Sequence, residues 1–116
     1  MNQQTGQAEL ASKECVPCKG GEPPLKGDDL KQMRQRLGAD WDVVDEHHLS
    51  KTFTFDDFAA ALAFVNRVGE IAEEQGHHPN ICFTYGKATV EIFTHKVDGL
   101  TESDFVLAAK IERIRR

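Results

Sequence analysis

LSKTFTFDDFAAALAFVNRVGEIAEEQGHHPNICFTYGKATVEIFT, residues 49–94, places one long helical pattern between two strand patterns. In its middle, apolar residues recur at spacings of three and four, which predicts an amphipathic helix that ends at Gly76. On both sides hydrophobic and polar residues alternate, as is typical of half-buried strands. The helix therefore separates a strand at Leu49–Phe55 from a hairpin whose turn we place at Gly86-Lys87.

The flanking segments extend this pattern in both directions. A short amphipathic helix ending at Gly38 and a strand at Trp41–Val44 precede it, and a last helix with Thr101 as N-cap follows it. Hairpins separated by a helix favour antiparallel pairing. The predicted fold class is α+β, a four-stranded antiparallel sheet with helices packed on one face, in the order α-β-β-α-β-β-α. Its open face and edge strand favour pairing between subunits.

Length and charge limit what the chain can do. A chain of 116 residues and 13.0 kDa suffices for one domain, which we place at residues 27–116. The net charge of −5 argues against non-specific binding to nucleic acid or to an anionic membrane. The polar start and the lack of a long apolar run predict a cytoplasmic protein.

Residues 1–26 contain prolines, a Gly-Gly pair and no sustained periodicity, so we expect an irregular N-terminal arm. Its one motif is Cys15-Val-Pro-Cys18. Half of a metal site and a redox pair are alternatives, but no second Cys pair exists and no helix start follows the motif, which favours a structural role. Cys82, on a predicted strand, is interpreted as a small buried hydrophobic residue.

Histidines carry the clearest chemical signal. His77 and His78 follow the main helix and precede Pro79, which restricts His78 to extended geometry. His95 ends the fourth strand, and counting outward from the turn places it near Asn80. Three imidazoles are thus expected around one cleft, where one ring can donate a proton while another accepts one. His47-His48 is interpreted as a solvated turn.

The pattern Glu73-x-x-x-His77-His78-Pro79, followed by Tyr85, His95 and Asp104, resembles the signature of the pterin-4a-carbinolamine dehydratases. This family is also known as dimerisation cofactor of a homeodomain transcription factor. The resemblance runs from about residue 25 to residue 114. It implies dehydration of 4a-hydroxytetrahydrobiopterin to quinonoid dihydropterin and water, which recycles tetrahydropterin for aromatic amino acid hydroxylases.

Position by position, the resemblance implies His77, His78 and His95 as catalytic residues. Glu73, His78, Pro79 and Asp104 are the implied substrate-binding residues, and neither a metal nor a cofactor is required. Asp104 also stands three residues after Thr101, so an alternative is that it closes a capping box or holds His95 in one tautomer.

One departure from the family pattern concerns the ligand. The usual aromatic two residues after the proline is Ile81 here, which removes a stacking surface unless Phe83 or Tyr85 replaces it.

The expected partners are a pterin substrate, a second copy of the chain in a dimer or tetramer, and an aromatic amino acid hydroxylase. The alternatives are a three-histidine zinc site and a non-catalytic pterin-binding or coactivator-like member, including one in a molybdopterin-related pathway.

Overall fold

The computed structural model describes residues 3–16 and 23–114, with side chains from Gly6 onward. No helix in these ranges is both long enough and apolar enough to cross a bilayer. The elements in chain order are α1 (Gln3–Ser12), α2 (Gly27–Leu37), β1 (Asp42–Val44), β2 (His48–Thr54), α3 (Phe58–Gln75), β3 (Asn80–Thr84), β4 (Lys87–Ile92), a 3₁₀ turn (His95–Val97) and α4 (Glu102–Glu112).

The sheet confirms the predicted fold class. Its four strands are antiparallel in the order β1-β2-β4-β3. On β4, Ala88, Val90 and Ile92 are fully buried in the core shared with the helices. The opposite face is polar, and there the hydroxyls of Thr52 and Thr89 lie 2.8 Å apart. The alternation of side chains along each strand thus separates a helix-covered face from an open one.

The predicted turn of the β3–β4 hairpin is wrong by one residue. Thr84 pairs with Lys87, so the two turn residues are Tyr85 and Gly86, and Gly86 has the positive φ of 82° that favours glycine. The fourth strand also ends earlier than predicted, at Ile92, because the chain turns away through a bridge between Thr94 and Gly99. His95 therefore begins a 3₁₀ turn and is not part of the strand.

The arm is not wholly irregular, because residues Gln3–Ser12 form α1. This helix packs against α2 and α4, and Leu10 is fully buried. Gly6 permits the close approach, since a Cβ there would stand 2.9 Å from the Arg36 carbonyl oxygen. Helices with no apolar stripe of their own depend on such tertiary packing, so periodicity did not reveal α1. The boundary between arm and domain at residue 27 stays a prediction.

A polar network is buried beneath the helix-covered face. Lys51 on β2 forms an ion pair with Glu112 at the end of α4, and their side chains are only 13% and 8% exposed. The indole Nε1–H of Trp41 donates to the same carboxylate at 2.9 Å. Glu112 therefore links the sheet, the loop before β1 and the last helix.

Candidate active site

Two cavities formed by the described residues are candidates for the functional site, and we compare the chemistry of the side chains that line them. The larger, about 550 Å³, lies between α3 and the end of α4, and its charged side chains are Arg67, Lys110 and Arg113. Arginine and lysine side chains are hydrogen-bond donors only, so these three offer no acceptor to a ligand. The smaller, about 280 Å³, contains His77, His78 and His95 together. The structure thus brings the three predicted histidines to one cavity, close to the lower size limit of about 300 Å³ for small-ligand clefts.

His77 is held by a buried carboxylate. Its Nε2 lies 2.7 Å from Oδ1 of Asp104, and the two side chains are 14% and 0% exposed. A carboxylate accepts hydrogen bonds, so the imidazole donates through Nε2–H. In the neutral form of an imidazole that donates through Nε2–H, the other ring nitrogen, Nδ1, carries no proton and can accept one.

Two threonines hold the Asp104 side chain in place through hydrogen bonds. Its Oδ2 accepts the Thr101 backbone N–H at 2.8 Å, which closes the first turn of α4, and the Thr94 hydroxyl, also at 2.8 Å. The capping box predicted from Thr101 and Asp104 is therefore present. The histidine that Asp104 orients is His77, whereas the sequence suggested His95.

His78 lines the same cavity but has a different partner from His77. Its Nε2 lies 2.5 Å from a carboxylate oxygen of Glu73, in the last turn of α3. Both side chains are more than half exposed, so this pair orients the ring but adds little stability. Among the described residues, the cavity lining includes His78 but not Glu73, Pro79 or Asp104.

His95 lies beside an aromatic ring that the sequence analysis did not assign to the site. The rings of Phe93 and His95 are 4.3 Å apart, and both residues line the cavity. His47 packs on Phe93 at 4.5 Å, and its Nε2 lies 2.8 Å from Oδ1 of Asp98. His47 is therefore not simply a solvated turn residue, because it supports a wall of the cavity.

The structure corrects the expectation that Phe83 or Tyr85 takes the place of the aromatic absent at Ile81. Among the described residues that line the cavity, neither Phe83 nor Tyr85 is present. Phe83 packs against Phe58 at 5.5 Å, and Tyr85 is 68% exposed in the hairpin turn. Alternation along the chain could have identified Phe93, since residues 93 and 95 share a face of an extended segment.

The arm supplies a further wall of the cavity, through Cys15 and Val16. Burial raises the pKa of the Cys15 thiol to about 11, which is the opposite of the lowered pKa of reactive cysteines. Pro17 and Cys18 lie outside the described residues, so the predicted role of the Cys-x-x-Cys pair is not tested. Cys82 is exposed on the open face of the sheet, so its predicted burial is wrong.

Metal chemistry has no ligand set in the described part of the chain. Within residues 3–16 and 23–114, no group of three or more His, Cys, Asp or Glu side chains is arranged to hold a metal ion. The site instead offers a buried carboxylate–imidazole pair, two further imidazoles and an aromatic ring around one cavity. This inventory suits proton transfer to and from a flat heterocycle.

Comparison with known proteins agrees with this inventory. The model of the family "Pterin 4 alpha carbinolamine dehydratase" matches residues 23–114. A Rubrobacter xylanophilus protein titled "Putative pterin-4-alpha-carbinolamine dehydratase" is 64% identical, over 92% of this chain and 99% of that protein. A protein of the same title from Alkaliphilus metalliredigens is 46% identical, over 90% of this chain and 94% of that protein.

A solved structure extends the likeness to three dimensions. The "transcriptional coactivator/pterin dehydratase from Brucella Melitensis" aligns with a TM-score of 0.71 and 29% identity, over 77% of this chain and 95% of that chain. The fold and the histidine cavity thus define a small α+β protein of the dehydratase type. This chain belongs to the pterin 4 alpha carbinolamine dehydratase family, so the prediction of membership in a hydro-lyase family is confirmed.

Proposed function

We propose that this chain dehydrates 4a-hydroxytetrahydrobiopterin to quinonoid dihydropterin and water by histidine acid–base catalysis. The observation that carries the proposal is the His77–Asp104 pair, because the His77 imidazole is held by a buried carboxylate and lines a cavity that also contains His78 and His95. The relatives' titles name the same class of substrate.

The reaction requires two proton movements. The C4a–O bond breaks as its oxygen receives a proton and leaves as water, and the N5–H proton is removed so that a C4a=N5 double bond forms. In this proposal His77 takes the N5 proton through Nδ1, and the buried Asp104 carboxylate stabilises the imidazolium that results. Asp104 has no exposed surface, so it acts on the substrate through His77.

The other histidines supply the second proton and the orientation of the ring. His95 is exposed at the cavity and serves as the acid that protonates the leaving hydroxyl. His78, oriented by Glu73, binds and orients the pterin, while Pro79 keeps the backbone of His78 extended. Two positioned proton-transfer groups account for about 10² to 10⁴ in rate each.

The decisive experiment is a dehydration assay on enzymatically generated carbinolamine, with wild type beside His77→Ala, His78→Ala and His95→Ala. We expect wild type to exceed the buffer rate and at least one variant to lose about 10²-fold or more in kcat while remaining folded. A folded wild type with no acceleration over buffer would contradict the proposal. That result would favour the non-catalytic pterin-binding or coactivator-like alternative.

Phe93 supplies the stacking surface for the pterin in this proposal, in place of the aromatic absent at Ile81. We expect Phe93→Ala to raise KM about tenfold, because aromatic stacking and burial of that ring contribute roughly 1–2 kcal/mol. Phe83→Leu is the matched control, since Phe83 is an aromatic outside the cavity. Equal KM values for Phe93→Ala and Phe83→Leu would exclude the stacking role.

The remaining proposals concern where and with what the chain acts. We propose a homo-oligomer, because β3 is an edge strand with Phe58 and Tyr85 exposed nearby. A recycling role implies a cytoplasmic protein whose metabolic partner is an aromatic amino acid hydroxylase. Light scattering decides between a monomer, a dimer and a tetramer.

A further inference from the structure

Two residues of the N-terminal arm line the pocket although they lie outside the family match. That match begins at residue 23, whereas Cys15 and Val16 line the histidine cavity. The alignment with the Rubrobacter xylanophilus protein spans 107 residues, which exceeds the stretch from residue 23 to the end of the chain. The arm is therefore shared at least in part with that relative.

Specific hydrogen bonds hold this wall against the domain. The Cys15 backbone N–H donates to Oε1 of Gln75, on the last residue of α3, at 2.8 Å. The Val16 backbone N–H donates to the Ser103 hydroxyl at 2.8 Å, and that hydroxyl donates to the Val16 carbonyl oxygen at 3.1 Å. Ser103 is buried in α4 beside Asp104. The arm wall is thus attached to the two helices that also position the proposed base.

Exposure shows which part of the cavity the wall forms. Asp104 is fully buried and His77 is 14% exposed, so this pair lies at the floor. Val16 is 68% exposed, so its side chain lies at the mouth. An apolar side chain in that position gains stabilisation when a ligand covers it. A ligand whose reacting atoms lie at His77 would therefore meet Val16 with a part that projects outward.

We propose that the Cys15–Val16 wall determines specificity for the ring substituent of the pterin. This inference rests on the proposed function and adds the part of the substrate that is selected. Val16 contacts the carbon chain at C6 of the ring and favours a longer substituent over a methyl group. It takes no part in proton transfer, so it affects KM and leaves kcat unchanged.

The test compares two carbinolamines, generated from tetrahydropterins that carry either a dihydroxypropyl or a methyl group at C6. For Val16→Gly we expect KM of the longer substrate to rise about three- to tenfold and that of the methyl substrate less than twofold, with kcat within twofold for both. Ser103→Ala, which removes the anchor of Val16, should shift the ratio of the two KM values in the same direction. Ser12→Ala, in the arm but outside the cavity, should leave it unchanged.

An unchanged ratio of KM values in folded Val16→Gly would overturn the inference, and so would an equal rise for both substrates. Thermal unfolding establishes that each variant is folded. A binding measurement separates this failure from failure of the proposed function. In it, wild type and Val16→Gly are titrated with 7,8-dihydropterins that carry the same two substituents. If wild type shows no turnover, the ratio of the two dissociation constants still tests the wall.

Discussion

Asp104→Asn is expected to lower kcat by about 10² to 10⁴ while the protein stays folded. In the native site, Oδ2 accepts the Thr101 N–H and Oδ1 accepts Nε2–H of His77. An amide in the same place keeps one oxygen, which the Thr101 N–H requires, and turns its NH₂ toward His77. The imidazole must then accept at Nε2 and carry its proton on Nδ1, so the proposed base is already protonated.

The matched control is Glu102→Gln, which changes an exposed acid in the same first turn of α4. It should retain kcat within about twofold, because Glu102 is outside the cavity. Circular dichroism and thermal unfolding show whether Asp104→Asn is folded. A folded Asp104→Asn variant with kcat within threefold of wild type would exclude the tautomer mechanism.

Glu112→Ala is expected to lower the free energy of unfolding by roughly 2–4 kcal/mol. The substitution leaves the ammonium of Lys51 and the indole N–H of Trp41 without their shared acceptor in a largely buried place. Urea denaturation followed by Trp41 fluorescence measures the change, since this is the single tryptophan of the chain. Activity at saturating substrate should be unaffected in the folded variant, because Glu112 is outside the histidine cavity.

The matched control is Glu102→Ala, a change on the same helix as Glu112. It removes an exposed carboxylate that lies 3.4 Å from the Lys13 ammonium. We expect that change to cost less than about 1 kcal/mol, because exposed ion pairs contribute little. The double variant Lys51→Met with Glu112→Leu should recover most of the loss, since no buried charge then lacks a partner. Equal destabilisation by the two single Glu variants would show that burial of the network is unimportant.

Elements with strong periodicity were predictable from the sequence, and those that depend on tertiary contacts were not. The apolar spacing in α3 and the alternation in β2 and β4 predicted those elements to within a few residues. By contrast, α1 has no apolar stripe and is held through Leu10 and the Gly6 contact, which only the folded chain reveals. The hairpin turn was misplaced because Gly86 suits either of two adjacent turns.

The residues of the candidate site show the same contrast between local sequence pattern and tertiary contact. Sequence spacing placed His77 and His78 side by side, and His95 lies in the same cavity although it belongs to the 3₁₀ turn and not to the hairpin. The choice between His77 and His95 as the partner of Asp104 depended on where the chain leaves the sheet after Ile92. The arm wall could not be predicted, because no sequence pattern links residues 15 and 16 to Ser103.

One carboxylate at residue 104 begins the last helix, secures the end of the hairpin through Thr94 and orients an imidazole. Under the proposed mechanism, natural selection for folding and selection for chemistry therefore act on the same two oxygen atoms. We expect replacements of another size at this position to lower the free energy of unfolding as well as turnover, because they remove the cap of α4. Descendants of this protein that abandon catalysis but keep their shape should carry changes at 77, 78 or 95 and retain the aspartate.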